Sequence, residues 1–236
     1  MIRLVLFLFL FPASAFAQAD CTARYQIRFG PLRVAEAILQ ANETGDSYAA
    51  AGRVTSAGLA GAFREIRFDL ASEGLIEAGG LRPLAYREDV DTGRRLSEVA
   101  LGYENGIPTI LHALSLTDPG PWALDPARQS DTIDPMSALY MIARPRGFDA
   151  LCDWSILVFD GVRRSSITLG PVVLGGEVAR CAGAYRRLAG FSSEDLAERQ
   201  VFAFNAEFSQ MEDGAWRLTR VETQTLYGRV RLLLVD

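Results

Sequence analysis

The chain has no lysine, one histidine and three cysteines among its 236 residues. A single histidine and three scattered cysteines argue against most zinc sites, which need several such ligands at paired spacings. The Cys-X-X-Cys, Gly-X-Ser-X-Gly and Walker sequences are also missing. These sequences are the usual signatures of thiol redox enzymes, serine hydrolases and nucleotide-binding proteins, so their absence argues against all three classes. We therefore predict no catalytic, cofactor-binding or metal-binding residue, and no cofactor.

The absence of lysine means that arginine carries all of the positive charge, 24 residues against 29 aspartates and glutamates, for a formal net charge of −5. An acidic chain is a poor partner for nucleic acid, so we predict no nucleic-acid binding. Arginine without lysine is typical of codon usage in a GC-rich bacterium. Selection for arginine as a bidentate ligand of oxyanions is the less favoured explanation.

Long hydrophobic runs are few, and the most prominent is at the N-terminus. Met1–Arg3 give a positively charged start, Leu4–Phe11 are all apolar, and Ala15–Ala17 match the small-X-small sequence cleaved by signal peptidase. A membrane-spanning helix needs about 20 apolar residues, so this run is too short for a permanent anchor. We predict that residues 1–17 are a signal peptide, removed before Gln18 on export to the periplasm, and that the protein does not span the membrane.

Cys21 follows Asp20, whereas a lipid-modified cysteine follows a small residue. We therefore expect the mature protein to be soluble rather than lipid-anchored. No repeat or low-complexity tract divides the mature chain, so residues 18–236 are predicted to form a single β-rich domain.

Alternation of polar and apolar residues is the main pattern in the rest of the chain. It occurs at Arg24–Phe29, at Glu65–Leu70 and at residues 202–208, where three phenylalanines and an alanine share one face. A period of two predicts strands with one solvent-exposed face. Turn signals recur at intervals of about ten residues, which favours antiparallel hairpins. These signals are Glu43–Asp46, Glu73-Gly74, Gly79-Gly80, Asp91–Gly93, Asp160-Gly161, Gly175-Gly176 and Asp213-Gly214.

Two further strands, Trp154–Phe159 and Arg231–Val235, are apolar on both faces. Such strands need cover on each side, from a second layer, a helix or a bound apolar molecule. Central strands of a curved sheet that closes on its own core are the commoner explanation. A cavity lined by the strands that contain Trp154, Phe202 and Leu232 would instead favour a lipid-binding protein.

Helical signals are limited to two places. Asp134 is a good N-cap, Pro135 fits the first turn and Pro145 ends the run, so a helix is predicted over residues 134–144, packed on the sheet. A second short helix is predicted at Gly58–Phe63, and the proline-rich stretch 117–131 is predicted to be a long loop. The predicted fold is mainly β, a single antiparallel curved sheet forming an open or spiral β-barrel with one or two short packed helices.

The three cysteines allow three pairings, among which the sequence alone does not choose. Position favours Cys152 with Cys181, because Cys152 stands just before the Trp154 strand and Cys181 just after the break at Gly175-Gly176. This disulfide would tie two neighbouring strands, close a loop of about 30 residues and contribute about 3.5 kcal/mol in the chain-entropy model. Cys21 would be left unpaired, in an intermolecular bond, or in competition with either partner.

Catalytic alternatives have little support. A reactive thiol at Cys181 needs a base, and the only histidine, His112, lies in an apolar strand-like run where a packed or surface role is expected. Carboxylates are numerous, so the number of acidic residues does not exclude a hydrolase that uses a pair of carboxylic acids. Asp125, Asp131 and Asp134, however, are explained by turn and cap positions.

Several short sequences, each weak alone, occur in an order that resembles an uncharacterised family of bacterial envelope proteins, domain-of-unknown-function family 3108, over nearly the whole mature chain. The resemblance implies a secreted β-rich domain with no assigned catalytic residue. It also implies that Cys152 and Cys181 are features of an alphaproteobacterial branch, similar to periplasmic β-spiral proteins held by one disulfide. The sequences are Tyr25–Gly30, Ala35-Glu36, Gly58-Leu59, Glu73–Leu75, "GLRPLAYRED" ending at Asp89, "DPMSALY" at Asp134–Tyr140 and "VFDGVRR" at Val158–Arg164.

These observations favour a noncatalytic periplasmic cell-envelope protein that binds a lipid, a lipoprotein or an envelope protein in or on an open β-barrel. Open barrels of this kind resemble periplasmic lipoprotein carriers, an analogy of fold only. The alternatives are a carboxylate-based hydrolase acting on envelope glycans and a structural partner that docks through an exposed strand edge.

Overall fold

A computed structural model describes residues 18–58, 66–93, 96–115, 120–225 and 228–235. The predicted signal peptide, residues 1–17, lies outside the described residues. So do residues 59–63, which make up nearly all of the second predicted helix.

Thirteen strands in the described part of the chain form one antiparallel sheet. The long connection between β7 and β8 carries helix α1, Pro135–Ala143, and a second helix, α2, Ser193–Glu198, joins β10 to β11. Neither helix is long and apolar enough to cross a bilayer. The strands are β1 Gln18–Phe29, β2 Leu32–Thr44, β3 Ser47–Ser56, β4 Arg67–Glu77, β5 Gly80–Asp91, β6 Leu96–Glu104, β7 Ile107–Ser115, β8 Trp154–Phe159, β9 Arg164–Gly175, β10 Val178–Ala189, β11 Val201–Gln210, β12 Trp216–Thr225 and β13 Gly228–Leu234.

The strand order is β7-β6-β5-β4-β3-β2-β1-β13-β12-β11-β10-β9-β8, two meanders joined by the pairing of β1 with β13. Helix α1 contacts β3, β4 and β5 in one meander and β8 and β12 in the other. Because these strands are far apart in the order, the sheet must curve around the helix. We call the side of the sheet that faces α1 the inner face.

The two ends of the sheet, β7 and β8, do not pair with each other. The chain between them fills the seam: a 3-10 turn at Pro126–Arg128 contacts β7, and Ile133 forms a short parallel bridge with Val158 of β8. The predicted open barrel is therefore confirmed, with an irregular segment where a strand would close it.

Alternating burial follows the period of two in the sequence. On β11, Ala206 and Phe208 are fully buried on the inner face, whereas Ala203 and Asn205 are exposed on the opposite, outer face. Cα pairing places Phe204 beside Thr223 of β12. The predicted strand faces are confirmed here, because each inward side chain meets the core while each outward one meets solvent.

Two details of the predicted strand layout are wrong. Glu73-Gly74 is not a turn but lies inside β4, at a shift in its register with β5. A Cβ on Gly74 would stand 2.3 Å from the carbonyl oxygen of Arg82, so this glycine permits a close approach of two strands. The Trp154 strand, β8, is terminal rather than central, whereas β13 is central as expected.

Helix α1 is capped as predicted. Asp134 Oδ1 accepts a hydrogen bond from the backbone N–H of Ser137 at 2.8 Å, and Pro135 occupies the first helical position. Asp134 is completely buried, and its Oδ2 accepts from the hydroxyls of Ser137 at 2.5 Å and Ser72 of β4 at 2.9 Å. Tyr48 of β3 shares a 2.6 Å hydrogen bond with the Ser137 hydroxyl. One carboxyl group thus both starts the helix and fixes it to the sheet.

The other end of α1 is held by an ion pair. Tyr140 donates to Glu43 of β2, and Arg144 Nη2 donates to the same carboxylate at 2.9 Å. Both ends of the helix are therefore tied to the β2–β4 half of the sheet.

Replacing Asp134 by Asn keeps a capping side chain and removes a titratable group. Burial raises the pKa of Asp134 to about 6, against about 3.9 in an unfolded chain. The folded protein therefore binds this proton more tightly, and its free energy of unfolding falls as pH rises from about 4 to about 6. We expect wild type to lose about 2 kcal/mol relative to D134N across that window, measured by urea unfolding. An equal difference between the two proteins at both pH values would contradict this prediction.

Candidate ligand-binding site

An apolar cavity of about 360 Å³ lies between α1 and the inner face of the sheet. Its walls come from β1–β4 on one side, β11–β13 on the other, and the side of α1 that carries Leu139, Ile142 and Ala143. Apart from Arg53 and Thr223, every residue around it is apolar or glycine. Its volume lies near the lower end of the range of about 300–1,000 Å³ for small-molecule sites.

The cavity exists because α1 is fixed toward one half of the sheet. Met136 and Tyr140 are fully buried on the side that faces β3–β5, and Gly52 makes room there, since a Cβ at this position would stand 3.1 Å from the Met136 sulfur. Leu139, by contrast, is 48% exposed, and Val221 of β12 is only half-buried. Because these apolar walls do not contact one another and nothing among the described residues covers them, an open, water-accessible hollow remains between them.

The sequence analysis anticipated part of this lining. Phe204, of the strand containing Phe202, and Leu232 of β13 border the cavity. The Trp154 strand does not border it; the indole of Trp154 instead donates to the carbonyl oxygen of Leu151 at 3.0 Å. Sequence reasoning also missed Leu139, because it predicted that the helix packs on the sheet. The exposure of Leu139 could have been inferred only from the length of the predicted helix, which is too short to cover both halves of a wide sheet.

Cys152 and Cys181 lie within bonding distance of each other, with Cα atoms 6.2 Å apart, inside the range of disulfide geometries. They do not join neighbouring strands as expected: Cys181 is on β10, Cys152 precedes β8, and β9 lies between those strands. The segment before β8 instead folds over the inner face, where Leu151 is fully buried in the same core cluster as both cysteines. The two cysteines therefore lie next to the cavity without lining it.

Cys21 is half-buried against the other core cluster. Burial, followed by the nearby Glu43 carboxylate, raises the pKa of its thiol. A raised pKa keeps the group as a thiol, which is a weak nucleophile.

A hollow of about 660 Å³ on the outer face is lined by several carboxylates, the groups that a paired-acid hydrolase would need. Asp69 accepts hydrogen bonds from Arg53 and Arg67, and Arg67 also donates to Asp89 at 2.9 Å. Partial burial works to raise the pKa of Asp69, but the two arginines outweigh it and lower the pKa. A general acid needs the opposite shift, so this geometry does not favour a glycosidase.

His112 is exposed on β7, with Nε2 3.5 Å from Oε2 of Glu98. Within the described ranges, no three residues among histidine, cysteine, aspartate and glutamate are grouped closely enough to hold a metal ion. The one histidine thus takes part in a two-residue surface contact.

Comparison with known proteins gives a family but no activity. The chain is similar to a solved structure described as a β-barrel-like protein of domain of unknown function DUF1849 from Brucella abortus, at 13% identity and a TM-score of 0.44, covering 94% of this chain and 98% of that one. No curated protein matches the chain. The model of a family described as protein of unknown function, DUF3108, matches residues 24–234, which confirms the resemblance found in the sequence. This match covers most of the chain, and the protein therefore belongs to the DUF3108 family.

Proposed function

We propose that this protein is a periplasmic binding protein that holds an apolar molecule, or the acyl chain of a lipid or lipoprotein, in the cavity between α1 and the sheet. The observation that carries the proposal is the cavity itself: its side chains come from seven strands and a helix, and they are apolar almost without exception.

The energetics favour an acyl chain. Each buried methylene contributes about 0.8 kcal/mol, and the half-buried walls at Val54, Val221 and Val230 would also lose contact with water when the cavity fills. Association costs several kcal/mol in lost freedom of motion. Burial of about ten methylenes contributes about 8 kcal/mol, so a surplus of a few kcal/mol is left after the cost of association, which suits weak, reversible binding.

Export to the periplasm is part of the proposal. It is supported by the signal-peptide pattern of residues 1–17 and by the placement of Cys152 beside Cys181. Disulfides form in that oxidising compartment and are rare in the cytosol. We propose that these two cysteines are joined in the mature protein, residues 18–236.

Replacing Leu139 by Arg tests the cavity. Leucine and arginine have similar helix propensities, so α1 should form while a charge enters the apolar hollow. We expect L139R to bind the neutral fluorescent probe N-phenyl-1-naphthylamine at least tenfold more weakly than wild type. The matched control is L174R, on β9 and away from the cavity, where the leucine is 57% exposed. Equal probe binding by L139R and wild type, or no binding by either, would overturn the proposed site.

The natural occupant can be sought directly. We expect mass spectrometry of organic extracts to find acyl-bearing molecules with protein purified from the periplasm, and to find less of them with L139R purified in parallel. Equal amounts in both preparations would show that such molecules are carried elsewhere or nonspecifically.

The disulfide has a separate test. Nonreducing peptide mapping of the exported protein should join the Cys152 and Cys181 peptides, and the double variant C152A/C181A should lose about 3 kcal/mol of unfolding free energy. C21A is the matched control and should keep the bond. A crosslink between Cys21 and either Cys152 or Cys181, or free thiols at both of those positions, would contradict the pairing.

A further inference from the structure

Three arginines and two phenylalanines form an alternating stack on the inner side of the β9–β11 region. Arg187 of β10 lies over the rings of Phe191 and Phe202, at 5.5 and 5.1 Å from the ring centroids. Arg163 lies 5.5 Å from the Phe191 centroid, and Arg199 lies 5.3 Å from the Phe202 centroid. The planar guanidinium group suits such stacking, so the rings hold three positive charges together.

The cationic stack and the apolar cavity adjoin along β11. Phe202 and Phe204 are alternate residues of β11, so both face inward and are about 7 Å apart along the strand. Phe204 lines the cavity, whereas Phe202 belongs to the stack. A molecule that left the cavity along β11 would therefore meet the stacked arginines next.

The three guanidinium groups differ in how far they are already neutralised. Arg187 donates to the carbonyl oxygens of Asp195 and Arg199. It also has the carboxylates of Asp195 and Glu198 at 4.0 and 3.9 Å. Of the three arginines, it alone has a carboxylate of the described residues within 4 Å.

The guanidinium groups at the two ends of the stack, those of Arg163 and Arg199, make fewer contacts with the protein and so are better able to bind an anion. Arg199 donates one hydrogen bond, to the carbonyl oxygen of Gln224 at 2.7 Å. The Nε of Arg163 is buried, and no atom of the described residues accepts a hydrogen bond from it. Buried donors without partners cost free energy, and an anion bound to Arg163 would offset that cost.

We propose that the Arg163–Arg187–Arg199 stack binds the anionic headgroup of an amphiphile whose hydrocarbon tail occupies the cavity. This inference rests on the proposed function and narrows its ligand to a single-tailed carboxylate or phosphate. Both headgroups accept the bidentate hydrogen bonds that arginine donates. A neutral apolar molecule would fill the cavity but supply no anion to Arg163 and Arg199, the two arginines of the stack that have no carboxylate of the described residues within 4 Å.

Three ligands with the same tail separate the headgroup from the cavity: dodecanoate, dodecyl phosphate and 1-dodecanol. Each competes with N-phenyl-1-naphthylamine at pH 7.5, below its micelle concentration. We expect wild type to bind at least one of the two anions about tenfold or more tightly than dodecanol, in line with charge-assisted hydrogen bonds. A preference between dodecanoate and dodecyl phosphate would distinguish a fatty acid from a phospholipid as the source of the headgroup.

The variant R163Q/R199Q should lose this preference, while its affinity for dodecanol stays within about twofold of wild type. The control R186Q/R229Q removes the same charge from exposed positions on the outer face, and should retain the preference. Thermal unfolding checks that both variants are folded.

Equal binding of all three ligands by wild type would overturn the headgroup site and leave the apolar cavity standing. A preference for anions that survives in R163Q/R199Q would also overturn it. If none of the three ligands displaces the probe, the proposed function itself fails.

Discussion

The buried carboxyl group of Asp134 is the interaction on which the architecture depends. It accepts hydrogen bonds from the first turn of α1 and from Ser72 of β4, so the helix cannot slide along the sheet without leaving a polar group unpaired in the core. An unpaired buried polar group costs several kcal/mol. The sheet curves around the helix, and fixing the helix therefore fixes the shape of the barrel.

That placement divides the interior into two parts. One core cluster, which includes Tyr48, Tyr86 and Met136, packs between α1 and the first meander. The other, which includes Cys181 and Phe208, fills the second meander. Residues from the edges of both clusters line the cavity, which lies where the two cores fail to merge. A cavity can thus arise from a helix held toward one side, with no dedicated sequence motif.

Local features of this fold could be predicted from the sequence, and features that depend on distant strands could not. Alternation identified the faces of β1 and β11, and Asp134 and Pro135 marked the start of α1, because these signals act over a few residues. The role of Gly74 depends on its approach to Arg82 of the next strand, which no local pattern encodes. The arginine stack was not predicted for a related reason: Arg163 lies in the connection between β8 and β9, whereas Phe191 and Arg199 flank α2, and the pairing of β9 with β10 brings them together.

The pairing of β1 with β13 has a consequence for how the molecule is made. These strands join the two meanders, yet they lie near opposite ends of the chain, so the contact with the greatest sequence separation is the one that unites the sheet. Contacts of that kind form slowly. The two meanders can therefore unite into one sheet only after β13 has been synthesised, although each meander pairs its own neighbouring strands earlier. The β1 edge would meanwhile be an open template, so a chaperone that covers extended backbone would serve this protein at that stage.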